Sequence, residues 1–156
     1  VQVVIDFAHT PDALEQTLIA LKAHAVGRLW VVFGCGGDRD KQKRALMGEV
    51  AERLADEVVL TSDNPRTEDP NVILADIASG CKNDIHILTD RKEAIFYALA
   101  HAKAEDCVLI AGKGHEDFQL VGNKKLPFND ALVATELLPS LHTMPHEQAL
   151  KSEGGL

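Results

Sequence analysis

Asp63-Asn64-Pro65-Arg66 sets a carboxylate, an amide and a guanidinium on one turn, directly after the apolar run Val58-Val59-Leu60. Pro65 fixes one backbone dihedral and biases Asn64 away from helix, so the turn is stiff before anything binds. A planar cation fork beside an amide and a carboxylate suits a small ligand that carries both carboxylate and ammonium groups. Taken as four residues alone, such a turn is more often a plain strand-to-helix connection with an exposed arginine.

Three further clusters carry glycines and charges: Asp6-Phe7-Ala8-His9-Thr10-Pro11, Gly34-Cys35-Gly36-Gly37-Asp38-Arg39-Asp40-Lys41, and Gly112-Lys113-Gly114-His115-Glu116. Each follows a short apolar, β-branched run: Val1 to Ile5, Leu29 to Phe33 and Val108 to Ala111. Ile85 to Leu88 is a further run of this kind. Such runs suit strands buried on both faces of a parallel sheet. Between them Ala13, Leu14, Leu18 and Leu21 share one helical face, as do Leu46, Met47, Val50, Ala51 and Leu54, and again Ala94, Ile95, Ala98, Leu99 and Ala102. Thr10-Pro11 and Asp69-Pro70 read as helix starts, and Asp90 with Glu93 as a capping box. Phe118 to Leu126 reads as a hairpin turning at Gly122-Asn123, and Asn129 to Leu138 as a last helix. The alternation predicts an α/β fold: a Rossmann-like open, mostly parallel sheet flanked by helices, with a small C-terminal β-hairpin. In such sheets ligands bind beyond the carboxyl ends of the strands, where all four clusters fall.

Each cluster has its limits. Asp6 at a strand end either caps it or holds a ribose hydroxyl pair. The glycine cluster brings backbone amides close to an anion, but Arg39 stands where the third glycine of the dinucleotide fingerprint belongs, which weakens a hydride-transfer reading. Arg39 is the best candidate there for a bound carboxylate, while Lys43 and Arg44 fit a solvated helix start. Gly112-Lys113-Gly114 is only a fragment of a phosphate loop. No His/Cys spacing matches a metal site, and no nucleophile sits on a strand-to-helix elbow.

A chain of 156 residues with a net charge of −8 speaks against nucleic acid and acidic membrane surfaces as partners. Seven aromatic rings (one Trp, one Tyr, five Phe) leave little for base stacking. No apolar stretch approaches the ~20 residues of a membrane span. Three cysteines without paired spacing favour a reduced, cytoplasmic setting. The abrupt apolar start leads to the expectation of a domain cut from a longer polypeptide, with residues 1–140 forming the domain and 141–156 a flexible tail.

Taken in order, the four clusters resemble the C-terminal, amino-acid-binding domain of the Mur ligase family, specifically its diaminopimelate-adding branch, over about residues 1 to 138. The resemblance implies ATP-dependent amide formation in peptidoglycan synthesis, with meso-diaminopimelate joined to the UDP-MurNAc-dipeptide. It implies that Arg66 pairs with a diaminopimelate carboxylate, helped by Arg39. Asp63, Asn64 and Pro65 complete that pocket, and Gly112 and Glu116 receive the distal amino-acid end. Asp6 would hold the ATP ribose and His9 would touch the nucleotide. ATP and Mg2+ would be bound mainly by a central ATPase domain, and the uridine nucleotide by an N-terminal domain, both absent from this chain. The isolated domain is therefore expected to fold without catalysing. Phe7 and Phe118 stand where tyrosine is common in the family, and Ala45 where proline is. The alternatives are the equivalent domain of a lysine-adding or folylpolyglutamate-type ligase, which Arg66 and Glu116 disfavour, and a free-standing amino-acid-binding module.

Overall fold

The structure is a computed structural model and describes residues 1–143. Five parallel strands form one sheet: β1 (Gln2–Asp6), β2 (Leu29–Phe33), β3 (Glu57–Leu60), β4 (His86–Ile87) and β5 (Cys107–Ala111), in the spatial order β1-β5-β2-β3-β4. The helices are α1 (Pro11–His24), α2 (Gln42–Leu54), α3 (Pro70–Ala78), α4 (Arg91–His101) and α5 (Asp130–Thr143). Strands β6 (Phe118–Val121) and β7 (Lys124–Pro127) make a separate antiparallel hairpin. The five-strand sheet and the hairpin are those expected from the sequence.

Topology assigns the helices to faces. The chain steps one way across the sheet through β1, β2, β3 and β4, then returns once to place β5 between β1 and β2. Because such crossovers are right-handed, α1, α2 and α3 cover one face and α4 covers the other. The side chains alternate accordingly. Leu29, Val31, Phe33 and Leu109 pack with Leu14, Leu18, Met47, Ile73 and Ile77. Trp30, Val32, Val108 and Ile110 pack with Ala94, Ile95, Ala98, Leu99 and Ala134 of α4 and α5. Every residue of β2 and β5 is buried, which is why both runs read as continuous rather than alternating.

The helix starts follow their caps. Thr10 Oγ1 accepts the Ala13 amide at 3.2 Å, Asp69 accepts the Asn71 amide at 2.9 Å, and Asp90 accepts the amides of Lys92 and Glu93. Asn129 caps α5 through the Leu132 amide at 3.0 Å. That helix passes Pro139 and runs to Thr143, beyond the Leu138 end expected from periodicity. Of the proposed tail, residues 144–156 lie outside the described residues. Among the described residues, no helix is long and apolar enough to cross a membrane.

Candidate functional site

The parallel strands deliver the four clusters to one edge, where a cleft of about 330 Å³ opens. His9, Arg39, Asp63, Asn64, Arg66, Gly112 and Glu116 all line it, joined by Phe7, Gly34, Cys35, Gly36 and Lys43. Two expected site residues do not. Pro65 lines a second cleft, beneath the hairpin. Asp6 stands one step back at the end of β1, where one carboxylate oxygen accepts the Ala8 amide at 2.8 Å.

One wall is cationic. Arg66 adopts a left-handed backbone (φ 52), which a non-glycine residue holds only under constraint. Its constraint comes from the hairpin: the Arg66 amide donates to Leu120 O at 2.9 Å, and its carbonyl accepts the Gly122 amide at 2.6 Å. The guanidinium donates to Gly37 O at 2.9 Å. A Cβ on Gly36 would stand 2.8 Å from Arg66 Nη1 and 3.5 Å from Arg39 Cγ, so the two arginines flank this glycine. Neither has a carboxylate partner among the described residues. Arg28, Arg44, Arg53 and Arg91 each pair with one, whereas Arg39 donates to the Asp38 carbonyl at 3.0 Å. Lys43, also on this wall, donates to the His9 carbonyl at 3.0 Å. The positive wall is thus free to meet an external anion.

The opposite wall is acidic. Asp63 and Glu116 approach the fully buried Lys113, whose Nζ donates to Glu116 Oε1 at 3.1 Å and Asn64 Oδ1 at 2.9 Å, with Asp63 Oδ1 at 4.0 Å. Burial pushes the Asp63 carboxyl above its ordinary range, against the pull of Arg91 and Lys113. Gly112 has φ +111, and a Cβ there would meet Asp63 Oδ2 at 2.6 Å, so glycine serves both the turn and the close approach. Asn64 Oδ1 also accepts the Leu120 amide at 2.9 Å, which ties the turn to the hairpin a second time. Lys113 is therefore an internal ion-pair partner and not the phosphate-loop lysine that its glycine neighbours resemble.

Two buried arginines, whose roles the sequence did not reveal, hold this edge together. Arg91 of α4 forms a two-pronged pair with Asp130 of α5 (2.7 Å for each bond) and donates to the carbonyls of Ser62 at 3.0 Å and Ala111 at 3.1 Å. It thereby fixes the spacing between the β3 and β5 ends across β2. Arg44 is fully buried, contrary to a solvated helix start, because Glu68 at 2.7 Å, Asp76 at 2.9 Å and the Gly36 carbonyl at 3.1 Å surround its guanidinium. Its hydrogen bonds hold the Glu68 carboxyl down at about 2. Asp38, itself left-handed (φ 54), accepts the amide and hydroxyl of Thr67, so the loops after β2 and β3 form one body. Only the acidic partners of these arginines, Glu68 in a loop and Asp76 and Asp130 on two other helices, would have disclosed them.

At the β1 end of the cleft the exposed Phe7 ring meets the His9 ring edge-on at 4.7 Å, and His9 Nδ1 lies 2.9 Å from the Phe7 carbonyl. Asp6, with one carboxylate oxygen uncommitted among the described residues, directly precedes these two exposed rings. Lys113 is enclosed and does not line the cleft. Among the described residues no group of three or more His, Cys, Asp or Glu could hold a metal ion.

A family model described as "Mur ligase, glutamate ligase domain" matches residues 1–114. The chain is 53% identical over 139 residues to UDP-N-acetylmuramoyl-L-alanyl-D-glutamate–2,6-diaminopimelate ligase of Vibrio vulnificus (strain YJ016), covering 88% of this chain and 28% of that protein. A solved structure of a ligase of the same name superposes with a TM-score of 0.87 at 47% identity, covering 91% of this chain and 30% of the other. FolC of E. coli in complex with ADP matches at 28% identity with a TM-score of 0.55, covering 70% of this chain and 25% of FolC. The chain thus spans less than a third of the length of these relatives. With the family model matched over residues 1–114 and a relative 53% identical over 88% of it, the chain belongs to the Mur ligase family.

Proposed function

We propose that this domain receives meso-diaminopimelate for an ATP-dependent ligase that joins it to the UDP-MurNAc-dipeptide in cytoplasmic peptidoglycan synthesis. The observation that carries this reading is the pair Arg39 and Arg66, both without a carboxylate partner among the described residues, facing a cleft whose other wall holds Glu116 and Asp63. A doubly acidic diamine complements both walls at once: its carboxylates meet the arginines, and its distal ammonium meets Glu116. Lysine lacks the second carboxylate and leaves a partly desolvated guanidinium without its partner, which costs several kcal/mol by the usual scale of such losses (roughly 3–5).

ATP would contact this domain through Asp6, Phe7 and His9, with Asp6 offering its open oxygen to the ribose. When bound, ATP supplies the phosphoryl group that activates the acceptor carboxylate for attack by the amine. Mg2+ and the phosphates would be held by protein beyond this chain, as would the UDP-MurNAc-dipeptide. On its own the domain binds and orients the amine donor without ligating it.

Titrating the chain with meso-diaminopimelate and with lysine, followed by amide NMR shifts, tests the reading. The wild type should favour diaminopimelate by ~100-fold, as a loss of about 3 kcal/mol implies, and Arg66→Ala should abolish the preference. A wild-type preference for lysine would refute the assignment and favour a lysine-adding ligase.

A further inference from the structure

Lys113 is wholly buried, yet it does not line the cleft; it lies beneath the acidic wall. Its geometric duties are already met by other bonds. The Gly112 amide donates to Asp6 O at 3.1 Å, the Glu116 amide to Lys113 O at 3.0 Å, and the Leu120 amide to Asn64 Oδ1 at 2.9 Å, so the loop and hairpin are pinned without the ammonium. Enclosing an ammonium is costly, and an apolar side chain beside Phe118 would fill the space with less desolvation. What the ammonium uniquely supplies is charge.

Building on the function proposed above, we infer that Lys113 is a specificity-determining residue: its fixed ammonium offsets one of the two carboxylates, Asp63 and Glu116, so that the pocket accepts a zwitterionic amino-acid end and rejects a bare ammonium. Lys113 and Asn64 both bond Glu116 Oε1, which leaves Oε2 for the cleft. With Asp63 ionised, the trio carries one net negative charge against the positive charge of Arg66. That sum matches one ammonium plus one carboxylate. Without Lys113 the pocket is more negative by one unit, which stabilises the distal end of lysine and repels the distal carboxylate of diaminopimelate. One charge acting over a few ångströms at an effective dielectric of ~20 changes the ratio of the two affinities by ~10-fold or more.

The test compares Lys113→Met and the double variant Asp63→Asn/Lys113→Met with wild type, reading diaminopimelate and lysine affinities by amide NMR from pH 5 to 9. Lys113→Met should lose at least ~10-fold of the diaminopimelate preference at high pH. It should regain preference as pH falls and Asp63, whose carboxyl burial already pushes up, takes up a proton in place of the ammonium. Arg91 and Asp130, which also act on Asp63, are the same in all three proteins. The double variant restores the net charge of the pocket and should recover most of the preference that Lys113→Met loses. An unchanged, pH-independent ratio in folded Lys113→Met overturns the inference alone. If Lys113→Met fails to give a dispersed spectrum, the double variant decides, and its failure to discriminate overturns the inference. If wild type binds neither amino acid, the function proposed above falls and this inference with it.

Discussion

Arg91→Met offers the sharpest test of how the cleft is held open. The substitution leaves Asp130 fully buried without its cation and strips donors from the Ser62 and Ala111 carbonyls, which lie 3.0 and 3.1 Å from the guanidinium. Burial opposes the Arg91 charge, but the hydrogen bonds and charge of Asp130 outweigh it and raise the guanidinium pKa further. Breaking such a pair from one side costs about 3–5 kcal/mol. That is a large part of the ~5–15 kcal/mol that separates a typical folded domain from its unfolded state. For a domain of this size it corresponds to a drop of ~10 °C in Tm. Urea unfolding should therefore show a lower midpoint with an unchanged slope. Arg91→Met/Asp130→Leu removes both charges and should recover most of the loss, because apolar replacement of a whole buried pair is often neutral. A single variant within ~1 kcal/mol of wild type would refute the reasoning, as would a double variant no better than the single.

Gly112→Ala should weaken diaminopimelate binding more than it weakens folding, since its Cβ would meet Asp63 Oδ2 at 2.6 Å; calorimetric titration alongside a thermal melt separates the two effects. For Glu68 the folded pKa of about 2 lies below its ordinary 4.5, so its pairing stabilises the fold fully above pH 4.5 and fades as pH falls toward 2. Glu68→Gln should therefore be less stable than wild type near neutrality and lose less stability on acidification over that window, as read by urea midpoints across pH. Burial pushes the Cys35 thiol up to about 12 and the Cys81 thiol to about 11. A disulfide reagent at pH 8 should react slowly with both in the native protein and promptly in urea; rapid native labelling of Cys35 would contradict its enclosure.

The strands were legible because parallel burial leaves an unbroken apolar run, and the helices because Thr10, Asp69 and Asp90 announce their starts. The gathering of Arg39, Asp63, Asn64, Arg66, Gly112 and Glu116 followed from parallel topology alone, since every such strand delivers its trailing loop to the same edge. The charge partnerships were not legible. Arg44 stands in a run with Lys41 and Lys43 that suggests a wet helix start, and its burial depends on Glu68 and Asp76 arriving from another element. Lys113 sits between two glycines, as in a phosphate loop, and only the return of β5 beside β2 sets it against Asn64. Local spacing reports which face a residue takes; pairing between distant loops leaves no periodic trace.

The anchoring of Arg66 to the hairpin bears on the order in which the protein is made. The backbone groups that fix this arginine, Leu120 O and Gly122 N, emerge from the ribosome well after the turn itself. A nascent chain ending before β6 already contains every strand of the main sheet but lacks the clasp that holds Arg66 left-handed. The clasp on Arg66 is therefore completed only after the main sheet has been synthesised, and a truncation there would yield the sheet without it.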